Sequence, residues 1–196
     1  MRPGALYCSI VIGLCVVLYI VGAATNHCGD QKDSHFGSSD YSYGLYKSEY
    51  YYSSSLYSVD STCTWQNDCS CEFNSNGNTV NFQFFDKNSS TCHKFVAARA
   101  FIILAIIFGG IATIVMLAFS FKSRWGYHNT VATGLNKFSA LFGLICMALI
   151  ISVNNDINDN LSQNSPQYKL NYSFGLITAA WIIQLFAGCF FHVNSK

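Results

Sequence analysis

The chain has 196 residues, 51% of them hydrophobic and only 11% charged, where soluble domains carry roughly 25% charged residues. That is a membrane composition, and it argues against a soluble appendage. A net charge of +1 leaves no basic footprint for nucleic acid, and two prolines without a long charge run argue against a disordered tail.

Four stretches are apolar enough and, at ~20 residues, long enough to cross a bilayer: residues 5–24, 97–121, 131–153 and 174–193. They predict a single four-span membrane domain over residues 1–196. The first stretch also carries marks of a secretory signal peptide, with Arg2 ahead of it and small residues before Thr25. Its apolar region exceeds the usual ~7–15 residues, so it reads as a retained span. In the third, Asn136 and Lys137 interrupt the entrance, where Lys137 can extend its ammonium to the membrane surface.

Residues 25–95 form one long segment between the first two spans, with eight acidic residues against four lysines, a net of −4. A structureless loop of that length is improbable, so it should fold. In "TVNFQFF", Val80, Phe82 and Phe84 alternate with Asn81 and Gln83, the period of a half-buried strand. "CSCEF" precedes it, joined through Asn76-Gly77, a strong hairpin turn signal. Upstream, the Tyr- and Ser-rich run suits strands too, although residues 40–59 also fit a flexible loop. The expectation is an extracellular β-sheet capping the helices. Tyr50, Tyr51 and Tyr52, read as exposed loop positions, would offer a partner rigid contact area with polar tips.

Five of the nine cysteines lie in this segment. In an oxidising compartment they read as disulfides with one left over. Cys28 follows the first span and Cys92 precedes the second, so these two are expected to close the loop base, with Cys63 bridging Cys71 or Cys69. His27-Cys28 and Cys92-His93 together would also make a tetrahedral zinc set, but the spacing matches no metal motif and a disulfide is preferred. No metal and no cofactor are expected.

Arg99 is the last charge before the uncharged run of residues 100–121, and reads as the marker of a helix end at the membrane boundary. Lys122, Arg124 and Lys137 gather in and beside the link of residues 122–136, which places that link and both termini in the cytoplasm of a plasma-membrane protein. The sequons at Asn88, Asn160 and Asn171 then fall outside, the last two in a second outer loop of residues 154–173. Asn171 sits too near the membrane for modification. Cys8 and Cys189 fall on the cytoplasmic side as palmitoylation candidates.

Enzyme chemistry finds little support. The spans hold no Asp or Glu and no His before His192, so no intramembrane acid–base pair is evident. Cys69-Ser70-Cys71 lies mid-loop rather than beside a helix end, and Gln184 is a lone polar residue that suits an interhelical hydrogen bond. The spaced glycines suit close helix packing, and no small-molecule substrate is implied.

"VAARAF" at residues 96–101, "GLY" at Gly44, Leu45 and Tyr46, and "NYSFGLITAAWIIQLFAGCFF" at residues 171–191 resemble motifs of the claudin superfamily, which includes peripheral myelin and epithelial membrane proteins and calcium-channel gamma subunits. Tyr46 stands where that family has Trp, and no cysteine closely follows it. The resemblance implies a membrane four-helix bundle with an extracellular sheet, Arg99 tying the sheet to the helices, and a Cys63 bridge to Cys69 or Cys71. It further implies a non-catalytic tetraspan protein that binds and regulates or organises another membrane protein. The alternative it implies is cell–cell adhesion or a paracellular barrier through self-association. The expected partners are membrane lipid and either another integral membrane protein or copies of this chain.

Overall fold

The computed structural model describes residues 3–25, 27–33, 38–53, 58–65, 69–75, 78–83, 85–121, 126–161 and 166–194. Side chains are described for all of these except 3, 5, 33, 38, 52, 58–60, 71–75, 78–83, 119, 126–129 and 189–194. The chain forms two compact units. One comprises Met1–Val21, Ala100–Cys146 and Leu176–Lys196, the other Gly22–Arg99 and Met147–Gly175.

The first unit is helical. It is drawn from α1 (Pro3–Ala24), α2 (Ser90–Ser120), α3 (Gly126–Asn160) and α4 (Tyr172–Asn194). Leu6–Ala24, Ser90–Ala118 and Thr130–Asn160 are each long and apolar enough to cross a membrane, and α4 is apolar over Tyr172–Gly188. Ile103, Ile107, Ile111 and Ile114 on α2, and Ile10, Leu14 and Val17 on α1, recur every three or four residues and are exposed. Such stripes suit contact with lipid chains. Facing inward, Cys8 and Ile12 meet Ala112, Met116 and Ala132 in an apolar cluster from three helices.

Polar groups meet at the centre of this unit. Gln184 Oε1 accepts from the Tyr19 hydroxyl at 3.0 Å, and Gln184 Nε2 donates to Ser139 Oγ at 3.1 Å. Ser139 Oγ in turn donates to the Ala105 carbonyl at 2.6 Å, and Asn136 Nδ2 donates to the Gln184 carbonyl at 3.0 Å. In a medium without water such bonds must be made internally. Close approach there requires glycine. A Cβ on Gly109 would lie 2.8 Å from Val16, 2.9 Å from Ser139 and 3.2 Å from Gln184, and one on Gly143 would overlap the Tyr19 hydroxyl. Not every glycine serves this purpose, since Gly110 and Gly175 have nothing within 4 Å. Gln184, read from the sequence as a lone polar residue, is the hub of an interhelical network.

The second unit is built on a seven-stranded sheet of order β6-β5-β4-β3-β2-β1-β7 among the described residues. Its strands are β1 (Gly29–Asp33), β2 (Ser38–Tyr43), β3 (Lys47–Ser53), β4 (Ser58–Trp65), β5 (Ser70–Ser75), β6 (Asn78–Gln83) and β7 (Lys169–Leu170), with every neighbouring pair antiparallel. Successive strand residues face opposite sides, and the register sorts the sheet into two faces. The row Gly29, Tyr43, Ser48, Cys63 runs along one face and is buried throughout. The row Asp30, Ser42, Glu49, Thr62 runs along the other.

The run that also suited a flexible loop is thus β2, β3 and the start of β4, near the middle of the sheet. Its alternation was hidden because both faces use Tyr and Ser. The β5–β6 hairpin pairs as the alternation predicts, while Asn76, Gly77 and Phe84 lie outside the described residues. Two helices are longer than their apolar stretches: α2 starts at Ser90 and α3 runs to Asn160, so the second loop opens in helix. Apolar composition marks lipid contact, whereas helical hydrogen bonding continues through polar turns. Ser89 caps α2 by accepting from the Cys92 N–H at 3.1 Å. Asp156 on α3 holds Lys94 at 2.7 Å and Thr91 at 2.9 Å.

Candidate recognition face

Gly44, Leu45 and Tyr46 connect β2 to β3 in a tight bend, closed by the Gly44 N–H donating to the Lys47 carbonyl at 2.7 Å. The bend turns the Leu45 carbonyl toward α2, where Arg99 Nε donates to it at 2.6 Å. Leu45 is fully buried and Arg99 nearly so. The guanidinium carbon lies 4.6 Å from the Phe95 ring centroid and 5.6 Å from that of Tyr46. A charged donor to a carbonyl contributes about 1.5–3 kcal/mol, and each desolvated cation–π contact about 0.5–2 kcal/mol. Arg99 therefore ties the β2–β3 bend to the first turns of α2. The aromatic packing continues: Trp65 stacks on Phe85 at 6.1 Å and meets Phe95 edge-on at 5.4 Å.

A second set of contacts braces the buried face. Tyr43 donates its hydroxyl to Asn154 Oδ1 at 2.9 Å. Asn158 exchanges two bonds with the Tyr168 backbone, at 3.0 and 2.8 Å. The Tyr168 ring sits edge-on to Tyr41 and Tyr43 at 5.8 and 5.6 Å. Burial pushes the Tyr41 phenol up to about 12, and raises those of Tyr43 and Tyr168 as well. A Cβ on Gly29 would overlap the Tyr43 ring, so only glycine lets β1 pass there.

The cysteines differ from expectation. Cys92 bonds Cys69, with Cα atoms 5.9 Å apart, and Cys28 is a free, fully buried thiol that burial pushes up to about 12. The expected Cys28–Cys92 bridge is therefore corrected. Both residues adjoin membrane helices, but Cys28 directly precedes β1 and lies beside the end of β2, where its N–H bonds the Tyr43 carbonyl, whereas Cys92 in the first turn of α2 meets Cys69 in the β4–β5 connection. Cys63 is also disulfide-bonded; the Cys69 option for it is closed, and the Cys71 side chain lies outside the described residues. With Cys92 oxidised, the zinc set of His27, Cys28, Cys92 and His93 loses a thiolate. Cys8 is buried among α1, α2 and α3, and Cys189 has no described side chain.

Tyr50, Tyr51 and Tyr52 do not share an exposed loop, because all three belong to β3 and alternate faces. Tyr51 is 43% exposed, Tyr50 is half-buried with its ring 6.4 Å from Tyr41, and the Tyr52 side chain lies outside the described residues. On the Tyr51 side a cleft of ≈ 300 Å³ opens, lined by His27, Asp30, Lys32, Asp40, Ser42 and Glu49 among others. No group of three or more His, Cys, Asp or Glu suited to a metal occurs among the described residues. The sequon asparagines differ in access. Asn88 and Asn160 are exposed, while Asn171 Nδ2 donates to Asp30 and its sequon partner Ser173 is fully buried against Thr25. Lys122 and Arg124 lie outside the described residues.

Helices that can span a bilayer, combined with an antiparallel sheet unit held by a disulfide, define a membrane protein with a folded polar module. The family model of amastin, the amastin surface glycoproteins, matches residues 52–191. The chain belongs to the amastin family, and is thus a membrane protein of the cell surface. The claudin assignment is corrected by that match. The motifs behind it, an arginine at a helix entrance and a Gly-Leu-Tyr bend, record one hydrogen bond, Arg99 to Leu45, and local contacts of this kind do not specify a family. No curated protein matches the chain.

Proposed function

We propose that the chain is a non-catalytic surface protein that binds and organises another integral membrane protein through the exposed face of its sheet. The observation that carries this reading is the contrast between the two faces. One is braced by Tyr43, Asn154 and Arg99, which leaves the other as a rigid surface centred on Tyr51, with polar and charged neighbours. Preorganised surface of this type binds with little ordering cost. The sheet unit lies outside the cell and both termini inside, an orientation supported by the sequons at Asn88 and Asn160 on that unit and by the cationic link at residues 122–137.

Site-directed cross-linking from the Thr62 position in cells tests the reading. The expected result is a stoichiometric adduct with a different membrane protein, lost on Tyr51→Ser at unchanged surface level. Adducts only between copies of this chain would replace it with self-association and adhesion. A glycan acquired by a sequon engineered between residues 122 and 129 would overturn the orientation.

A further inference from the structure

The helix contacts correct the entrance position expected for Lys137. The uncharged run of α2, residues 100–121, is about 33 Å long at the ~1.5 Å rise of a helix, close to one bilayer core of ~30 Å. Its middle falls between Gly110 and Ile111. A Cβ on Gly109 would lie 2.9 Å from Ser139 Oγ, which donates to the Ala105 carbonyl. Ser139 on α3 is therefore level with the middle of α2. Lys137 precedes it by two residues, which places it within about 3 Å of that level. The exposed apolar residues of α3 agree, since Val131 comes before Lys137 and Phe138, Leu141 and Leu144 come after it. The cationic link is then marked by Lys122 and Arg124 alone.

Lys137 is exposed on the outside of the helical unit, and it makes no ion pair or hydrogen bond among the described residues. Its stem extends about 6 Å, well short of the ~15 Å from the middle of the core to either surface. A charge at that depth is costly and is kept where a counter-charge meets it. The spans of this chain offer none, because residues 5–24, 100–121, 131–153 and 174–193 contain no Asp or Glu. A second copy brings none for the same reason. Gly134 adds an independent sign. Unlike Gly109 and Gly143, it has nothing within 4 Å of where a Cβ would stand, so its missing side chain makes room for no helix of this chain. Helical side chains lean toward the N-terminus, which carries the Lys137 stem over the Gly134 position one turn away. Small residues of this kind let membrane helices approach closely.

We propose that Lys137 is the docking point for a membrane helix of a different protein, one that carries an Asp or Glu near the middle of its span. The carboxylate accepts from the Lys137 ammonium in a charge-assisted bond that the low dielectric of the bilayer strengthens. The backbone of that helix passes over Gly134, and Leu141 on the other side of Lys137 packs against it. This surface is separate from the sheet face and does not depend on it. It fixes the chemistry of the partner inside the bilayer, where contact between outer sheets alone would require no charge.

A synthetic helix of leucine and alanine with one central Asp, reconstituted with the full-length protein in lipid vesicles, is the probe. Energy transfer between labels on the two reads their association. Saturable association is expected, weakened about tenfold when the central Asp is replaced by Leu or moved to the helix end. Lys137→Met should produce the same loss, Lys137→Arg should retain association, and Lys137→Glu should bind a helix with a central Lys instead. Methionine suits a lipid-facing position, so Lys137→Met should fold, with an intact Cys69–Cys92 bridge as the control. Equal association of the all-apolar helix, or undiminished association in Lys137→Met, overturns the proposal. In cells, a photoreactive residue at position 141 should capture a membrane protein with an Asp or Glu inside a span, and the adduct should vanish in Lys137→Met. Adducts only with copies of this chain, or with a protein whose spans hold no acidic residue, overturn it as well. Loss of the heterologous Thr62 cross-link with this adduct retained removes the sheet-face reading alone, and the reverse removes this proposal alone.

Discussion

Tyr19 on α1 and Gln184 on α4, 165 residues apart in the chain, share a buried hydrogen bond of 3.0 Å at the centre of the helical unit. Ser139 reaches the same amide from α3, and Gly109 on α2 leaves the space in which they meet. Four helices are thus keyed to one side chain.

Replacing Gln184 with leucine strands the Tyr19 hydroxyl among apolar groups. A loss of about 1–2 kcal/mol is expected, the upper range for interhelical hydrogen bonds in membrane proteins. Neighbouring glycines give a sharper contrast. Gly109→Ala should destabilise, because its Cβ meets three helices, while Gly110→Ala should be neutral or mildly stabilising. Denaturant unfolding of the detergent-solubilised variants measures all three.

Arg99→Lys keeps the charge but loses the planar stack on Phe95 and the Nε donor to Leu45. Arg99→Leu loses everything. The first should cost about 1–2 kcal/mol and the second more, read as earlier proteolytic cutting at the β2–β3 bend. Equal stability of the wild type and both variants would remove the clamp from the account.

The thiols should separate cleanly. Peptide mass mapping under non-reducing conditions should find Cys69 joined to Cys92 and Cys28 in no bridge. Cys28 should resist iodoacetamide at pH 8 until the protein is denatured, since it is inaccessible and its thiol is held protonated. A Cys28–Cys92 peptide in correctly folded protein would contradict the fold described.

The sheet unit should fail in alkali. Tyr41, Tyr43 and Tyr168 have phenols raised by burial, so the folded state keeps protons that the unfolded chain releases. Their contribution is fully present below the ordinary tyrosine value near pH 10 and declines as pH rises through about 12. Phenolate absorbance should appear together with loss of near-ultraviolet dichroism. Ionisation without loss of structure would show these rings to be open to solvent.

The spans and the β5–β6 hairpin were legible because each obeys one period over many residues. Arg99 was legible only as a charge at the mouth of an apolar run: it lies well inside α2 rather than at its end, because the helix starts at Ser90 in polar sequence, and its bond to the Leu45 carbonyl has no local signal. The polar hub was not. Gln184, Tyr19, Ser139 and Asn136 come from three helices, and nothing local to any of them announces the others. The disulfide was misread for a related reason: Cys28 and Cys92 share proximity to the membrane, but a bridge depends on which side of a strand each Cβ faces. Tyr50 to Tyr52 were misread as one patch because three like residues conceal the alternation of β3.

The free thiol of Cys28 has a consequence for how the protein is made. It emerges during synthesis before Cys63, Cys69 and Cys92, the bridged cysteines among the described residues, and those bridges form only where exposed thiols are oxidised. In the folded protein it is fully buried, beside the point where the Tyr43 ring lies over Gly29. Biogenesis is therefore a race between strand pairing and oxidation, and chains that lose it carry Cys28 in a mispaired bridge that disulfide isomerases must undo. Overexpression should accumulate such chains first, and a Cys28→Ala or Cys28→Ser chain should mature with less dependence on isomerase.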